Sequence, residues 1–184
     1  MLRSLARKLL GLFGWKLLDL SERPARAVVI AYPHTSNRDF PITMLALLAL
    51  PFRASWVGKD TLFLPGAGWL LRTIGGVPVN RRERTGFVER IVAEFAARPH
   101  FNLVIATEGS RSVQPGWKSG FYRIAVAARV PVLLGVVDYA SKEVGLLASM
   151  ELSGDEAADM TRIAGCYAGR RGYRHELAAP IRLL

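Results

Sequence analysis

Ala27-Val28-Val29-Ile30-Ala31-Tyr32-Pro33-His34-Thr35-Ser36-Asn37-Arg38-Asp39-Phe40-Pro41 is the stretch on which the fold turns. Ala27 to Ala31 is a short, continuous apolar run with β-branched residues at its centre, the pattern of a buried strand. Tyr32-Pro33 ends it, because proline offers no amide hydrogen to a ladder. A polar loop follows, and Pro41 then falls near the first turn of a helix whose body is Ile42 to Leu50. Strand, polar loop and helix in that order make one unit of an α/β sheet.

Strands and helices go on alternating downstream. Ser55 to Val57 reads as a strand and, after the Pro65-Gly66 turn, Trp69 to Ile74 as a helix. Gly76 to Val79 is a third short strand. Phe87, Ile91, Val92 and Phe95 recur at three or four residues and mark a helix from Arg84 to Ala97. Leu103 to Ala106 is a strand, Ser119 to Arg129 a helix, and Val130 to Val137 another strand. Asp138 to Glu143 turns that strand into a hairpin with Val144 to Ala148, and a helix from Asp155 to Gly169 follows. This order predicts one α/β domain with a mostly parallel central sheet flanked by helices, and a local antiparallel pair at the hairpin.

Upstream, Leu2, Leu5, Leu9, Leu12, Phe13, Leu17 and Leu20 share one face of a helical pattern, with Arg3, Ser4, Arg7 and Lys8 opposite. Residues 1–22 are therefore expected to form an N-terminal amphipathic helix, and 23–184 the domain proper. The pattern suits a helix lying in a lipid headgroup layer and equally one packed on the domain. A signal peptide is rejected: Lys16, Asp19, Glu22 and Arg23 separate the apolar stretch from Ala25-Arg26-Ala27, and Gly11 and Gly14 interrupt it.

The composition narrows the function classes. The 184 residues are 51% hydrophobic and 22% charged, too apolar for disorder and enough for one substantial core. No apolar run approaches the ~18–20 residues that span a bilayer. The single cysteine, Cys166, excludes an internal disulfide and is compatible with a reducing, cytoplasmic setting. His34, His100 and His175 are scattered without metal-ligand spacing, so no metal site is expected. The net charge of +10 favours a polyanionic partner, whether nucleic acid, anionic lipid headgroups or a phosphorylated substrate, or else a generally basic, soluble surface.

In open α/β sheets ligands gather beyond the carboxyl ends of the strands. Three predicted strand ends carry concentrated polar chemistry: His34 to Asp39, Asn80-Arg81-Arg82-Glu83-Arg84, and Thr107-Glu108-Gly109-Ser110-Arg111-Ser112. An imidazole titrates near neutrality, and a carboxylate on its other nitrogen fixes its tautomer, so His34 and Asp39 suit a base and its partner. Asp39 equally suits a carboxylate that satisfies amides at the start of the following helix. Arg81 and Arg111 offer guanidinium forks matched to phosphate oxygens, whereas Arg82 and Arg84 read as a solvated turn. Gly109 lets the backbone turn or approach a ligand, and Glu108 beside it either serves the site or pairs with Arg111 or Arg81.

Taken in order, these loops resemble the signature blocks of the glycerolipid acyltransferases, the family that includes lysophosphatidate acyltransferase. His34 and Asp39 match its His-four-residues-Asp block. Gly75-Gly76-Val77-Pro78-Val79-Asn80-Arg81 looks like the second block, Glu108-Gly109-Ser110-Arg111-Ser112 like the third, and Val130-Pro131-Val132 like the fourth. The similarity runs from about Val28 to Val137. It departs from the common pattern at Pro33, often Asn, at Pro78, usually Phe, and at Thr107, commonly Pro.

The resemblance implies an acyltransferase without cofactor or metal, using acyl-CoA or acyl-carrier-protein as co-substrate. His34 and Asp39 would be catalytic. Arg81, Glu108, Gly109, Ser110 and Arg111 would bind or shape the substrate pocket, with Lys59 and Lys118 as further cationic contacts. A lysophospholipid, first of all 1-acylglycerol-3-phosphate, would be the acceptor, with an amino-acid-headed lysolipid as the alternative, and the enzyme would sit peripherally on an anionic membrane surface. Oxyanion donors are expected among backbone amides, those of the His34 loop included. A basic nucleic-acid-binding protein is the non-enzymatic rival, but the arginines are not interleaved with aromatics and no recognition motif is present, so no nucleic acid is expected. A serine hydrolase is the enzymatic rival, but Ser110 lacks a Gly-x-Ser-x-Gly elbow.

Overall fold

A computed structural model describes residues 2–51, 53–79 and 86–184. The predicted buried strand is β2 (Arg26–Tyr32), and its side chains divide by alternation. Val28, Ile30 and Tyr32 enter one apolar cluster, while Ala27, Val29 and Ala31 enter another on the opposite side. A strand buried on both faces belongs in the middle of a sheet. β2 does lie in the middle, flanked in parallel by β5 (Phe101–Ala106) and β6 (Val132–Asp138).

The described residues form a seven-stranded sheet of order β1-β7-β6-β2-β5-β3-β4, with β1 (Lys16–Leu18), β3 (Ser55–Lys59), β4 (Gly76–Val79) and β7 (Glu143–Met150) completing it. Every pairing is parallel except the β6–β7 hairpin, so the predicted fold class holds. Helices cover both faces. α1 (Leu2–Leu12), α2 (Asp39–Ala49) and α3 (Ala67–Thr73) lie over the side of Ala27 and Val29. α4 (Phe87–Ala97), α5 (Gly120–Ala128) and α6 (Glu156–Cys166) lie over the side of Val28 and Ile30. The fully buried Trp117, Phe121, Ile124 and Ile163 fill that second core.

The N-terminal segment differs from its reading as one helix over 1–22. α1 ends at Leu12, and Gly14, at φ 75°, turns the chain out of the helix. Lys16 N–H then donates to Lys142 O at 2.8 Å, and β1 joins the sheet in parallel with β7. Gly145 makes this possible: at φ 136° any Cβ would lie 2.0 Å from Leu18 O. The apolar face of α1 also differs. Ala6 and Leu10 pack against α2, whereas Leu2, Leu5, Leu12 and Phe13 stay exposed.

Candidate active site

Register places the site. Ala31 of β2 pairs with Ala106 of β5 on one side and Gly135 of β6 on the other, so three parallel strands end together. The chains leaving them carry His34, Glu108 and Tyr139. β3 and β4 end at the same edge with Lys59 opposite Val79. The loop holding Arg81, together with Arg82 and Arg84, lies outside the described residues.

His34 and Asp39 are brought together. His34 Nδ1 lies 3.4 Å from Asp39 Oδ2, and the His34 side chain is 20% exposed against 1% for Asp39. The carboxylate is held from several sides. Its Oδ2 accepts from the amides of Thr35 at 2.9 Å and Ser36 at 2.8 Å, and its Oδ1 accepts from the Tyr139 hydroxyl at 3.0 Å. Asp39 therefore lies beside the imidazole, and the amides it satisfies belong to the loop before α2 and not to the helix itself. Burial pushes the Asp39 carboxyl upward, while the Ser36, Tyr139 and Thr35 bonds and the nearby Arg111 charge pull it down. Burial first, then the Asp39 carboxylate, raises the Tyr139 phenol, so it stays protonated and remains a donor.

Glu108 lies beneath the loop. It is 1% exposed, and its two oxygens accept backbone amides from distant segments: Oε2 from His34 at 2.6 Å and Oε1 from Ala179 at 2.9 Å. Burial raises this carboxyl, those two amides lower it, and the Asp39 charge adds to the rise. Glu108 thus ties the base-bearing loop to the C-terminal segment, which Tyr32 also holds through a 3.1 Å bond from its hydroxyl to Ala179 O. Of the partners weighed from sequence, Arg111 does not occupy these oxygens, and Arg81 lies outside the described residues.

The remaining residues of this loop line the rim. Gly109, at φ 70°, turns the chain, and a Cβ there would press on Lys118 Cγ at 3.2 Å, which places Lys118 across the turn. Ser110 Oγ lies 2.9 Å from Ser112 Oγ, a pairing that supplies no base to a serine nucleophile. Arg111 is exposed, near enough to act electrostatically on Asp39. The amides of His34, Thr35 and Ser36 are all taken up by Glu108 and Asp39, so the expectation that this loop supplies oxyanion donors is corrected for those three.

Sequence reasoning missed Tyr139 and the closing segment around Gly172 to Ala179. Tyr139 follows the end of β6, so the strand-end rule that singled out the other loops points to it as well. Arg174 N–H donates to Thr35 Oγ1 at 3.2 Å, and a Cβ on Gly172 would lie 2.6 Å from the same oxygen.

An imidazole beside a buried carboxylate at the strand ends of a largely parallel sheet is an arrangement suited to proton transfer. The sequence model of the acyltransferase family matches residues 18–135, and the chain belongs to that family. Membership agrees with the acyltransferase character that the signature blocks implied and favours acyl transfer over both rival readings. Among solved structures the chain is similar to the 1-acyl-sn-glycerophosphate (LPA) acyltransferase PlsC from Thermotoga maritima. The TM-score is 0.58 and the identity 17%, over 90% of this chain and 76% of that one. At that identity the likeness speaks for the fold. No curated protein matches the chain.

Proposed function

We propose that this protein transfers a fatty acyl group from an acyl thioester, acyl-CoA or acyl-carrier-protein, to the hydroxyl of a lysophospholipid, with 1-acylglycerol-3-phosphate as the first candidate. The observation that carries the reading is the largely buried His34 ring with Nδ1 turned to a buried carboxylate held by the Thr35 and Ser36 amides and the Tyr139 hydroxyl. With Nδ1 facing the carboxylate, the role of base is assigned to Nε2. Nε2 takes the proton of the acceptor hydroxyl as its oxygen attacks the thioester carbonyl carbon. The tetrahedral intermediate then expels the thiolate, the imidazolium returns the proton to sulfur, and an ester and a free thiol leave. Asp39 stabilises the imidazolium between these steps. No step requires a cofactor, a metal or an acyl-enzyme, and Ser110 is assigned to the shape of the rim. Glu108 acts by holding the His34 loop, and Gly109 by turning the chain after β5.

Acceptor recognition is assigned to cations. Arg111 stands at the opening, and the resemblance adds Arg81 as the first phosphate ligand, with Lys59 and Lys118 as secondary contacts. Arg81→Ala is expected to raise KM for a phosphorylated lysolipid by about 10-fold or more while moving KM for the thioester far less. Equal movement of the two would remove Arg81 from this role.

A peripheral position on an anionic, cytoplasmic membrane surface completes the reading. No helix among the described residues is long and apolar enough to cross a membrane. Leu2, Leu5, Leu12 and Phe13 at α1 and Leu64, Trp69 and Leu70 around α3 are nevertheless exposed, as are Arg3, Arg7 and Lys8 on α1 and Arg72 on α3. Apolar side chains interspersed with cations suit the headgroup layer. Phe13→Glu combined with Trp69→Glu should reduce cosedimentation with phosphatidylglycerol vesicles several-fold, and undiminished binding would refute this placement. The reaction itself is tested by mass spectrometry of the purified protein with a panel of lysolipids and acyl thioesters. New phospholipid from a phosphorylated acceptor supports the proposal, and product from an amino-acid-headed acceptor alone replaces it.

A further inference from the structure

Asp39 has two oxygens with different duties. Oδ2 faces His34 and the amides of Thr35 and Ser36, whereas Oδ1 accepts the Tyr139 hydroxyl at 3.0 Å. Tyr139 is itself held from three directions. Its amide donates to Arg171 O at 2.9 Å, and its ring meets the edges of Trp15 at 5.0 Å and Tyr173 at 5.3 Å. The residue before it, Asp138, accepts from the amides of Ala140 and Arg171 and pairs with Arg170, which anchors the end of β6. A phenol this firmly placed fixes the rotation of the carboxylate it bonds.

We propose that Tyr139 is a positioning residue for the base: its hydroxyl locks Asp39 so that Oδ2 is presented to His34, and it draws part of the negative charge onto Oδ1. The inference rests on the reading of His34 as base. Trp15 joins α1 to β1, so the N-terminal segment supports the catalytic carboxylate through this ring. The groups facing the pair from the surrounding elements are Arg111 and Glu108 after β5, Arg38 before α2, and Tyr173 of the C-terminal segment, with the Arg38 guanidinium 4.4 Å above the Tyr173 ring. None of them bonds Oδ1.

Tyr139→Phe removes one oxygen and keeps the ring. It should lower kcat about 10-fold, a charge-assisted hydrogen bond's share, with both KM values within twofold of the parent. Without the donor on Oδ1, negative charge concentrates on Oδ2 beside the imidazole, the imidazolium gains stability, and the acid limb of kcat/KM moves to higher pH. In an Asp39→Asn background the same change should cost no further activity, because the phenol acts through that carboxylate. An unchanged kcat and acid limb would overturn the proposal, and so would an equal fractional loss in both backgrounds. Should Tyr139→Phe fail to fold, Trp15→Leu, which loosens the ring and spares the hydroxyl, is read the same way, and a stationary acid limb there overturns it. Full turnover by His34→Ala would instead sink the parent reading.

Discussion

His34→Ala is expected to lower kcat for acyl transfer on the order of 10³-fold while the protein melts within a few degrees of its parent. The side chain keeps an edge in solvent at 20% exposure, so truncation opens no sealed cavity, and Asp39 keeps its bonds from Thr35, Ser36 and Tyr139. A buried carboxylate that retains its donors stays satisfied, so the stability cost is small. Single-turnover formation of phospholipid, followed by mass spectrometry beside a circular-dichroism melt, separates the two effects. Loss of activity together with the fold would make His34 a structural residue. Parent-like turnover would take the imidazole out of the chemistry.

Glu108→Ala is expected to strike stability and activity together. It strands the amides of His34 and Ala179 in the interior and opens a void in place of a fully buried side chain. Two unsatisfied donors and a cavity cost about 3–5 kcal/mol, which in a chain of this size lowers Tm by roughly 8–15 °C. The His34 loop loses its tether, so kcat falls as well. Glu108→Gln does not restore both bonds, since its amide nitrogen meets a backbone N–H donor to donor. A carboxylate that touched substrate would give the opposite pattern, with Tm unmoved and KM raised. A thermal melt beside steady-state kinetics decides which role Glu108 has.

The unit from Ala27 to Pro41 shows what local pattern carries. Strand, loop and helix were each legible there because burial on both faces and a proline in the first helical turn leave marks within a few residues. His34 and Asp39 were legible for the same reason, since one loop holds both. β1 was not. Trp15 to Leu18 fits a helical period as well as an extended one, and only its pairing with β7, more than a hundred residues away, decides between them. Tyr139 stood at a strand end without a neighbouring partner in the sequence to mark it. Glu108 stood beside arginines, and the amides of His34 and Ala179 that it accepts carry no side-chain signature at all.

By itself, then, the sequence determined the α/β alternation, the central buried strand and the pairing of His34 with Asp39, because each is written in periodicity or in one short loop. Only the tertiary structure decided which strand completes the edge, which hydroxyl holds the far oxygen of Asp39, and that Glu108 faces inward to bind backbone. Those choices depend on closing chain segments that lie from about 70 to 130 residues apart. Hydrogen bonds to backbone amides and contacts across a sheet are available to almost any residue type, so composition does not encode them. They are settled when the packed core brings complementary groups within reach of the buried polar atoms.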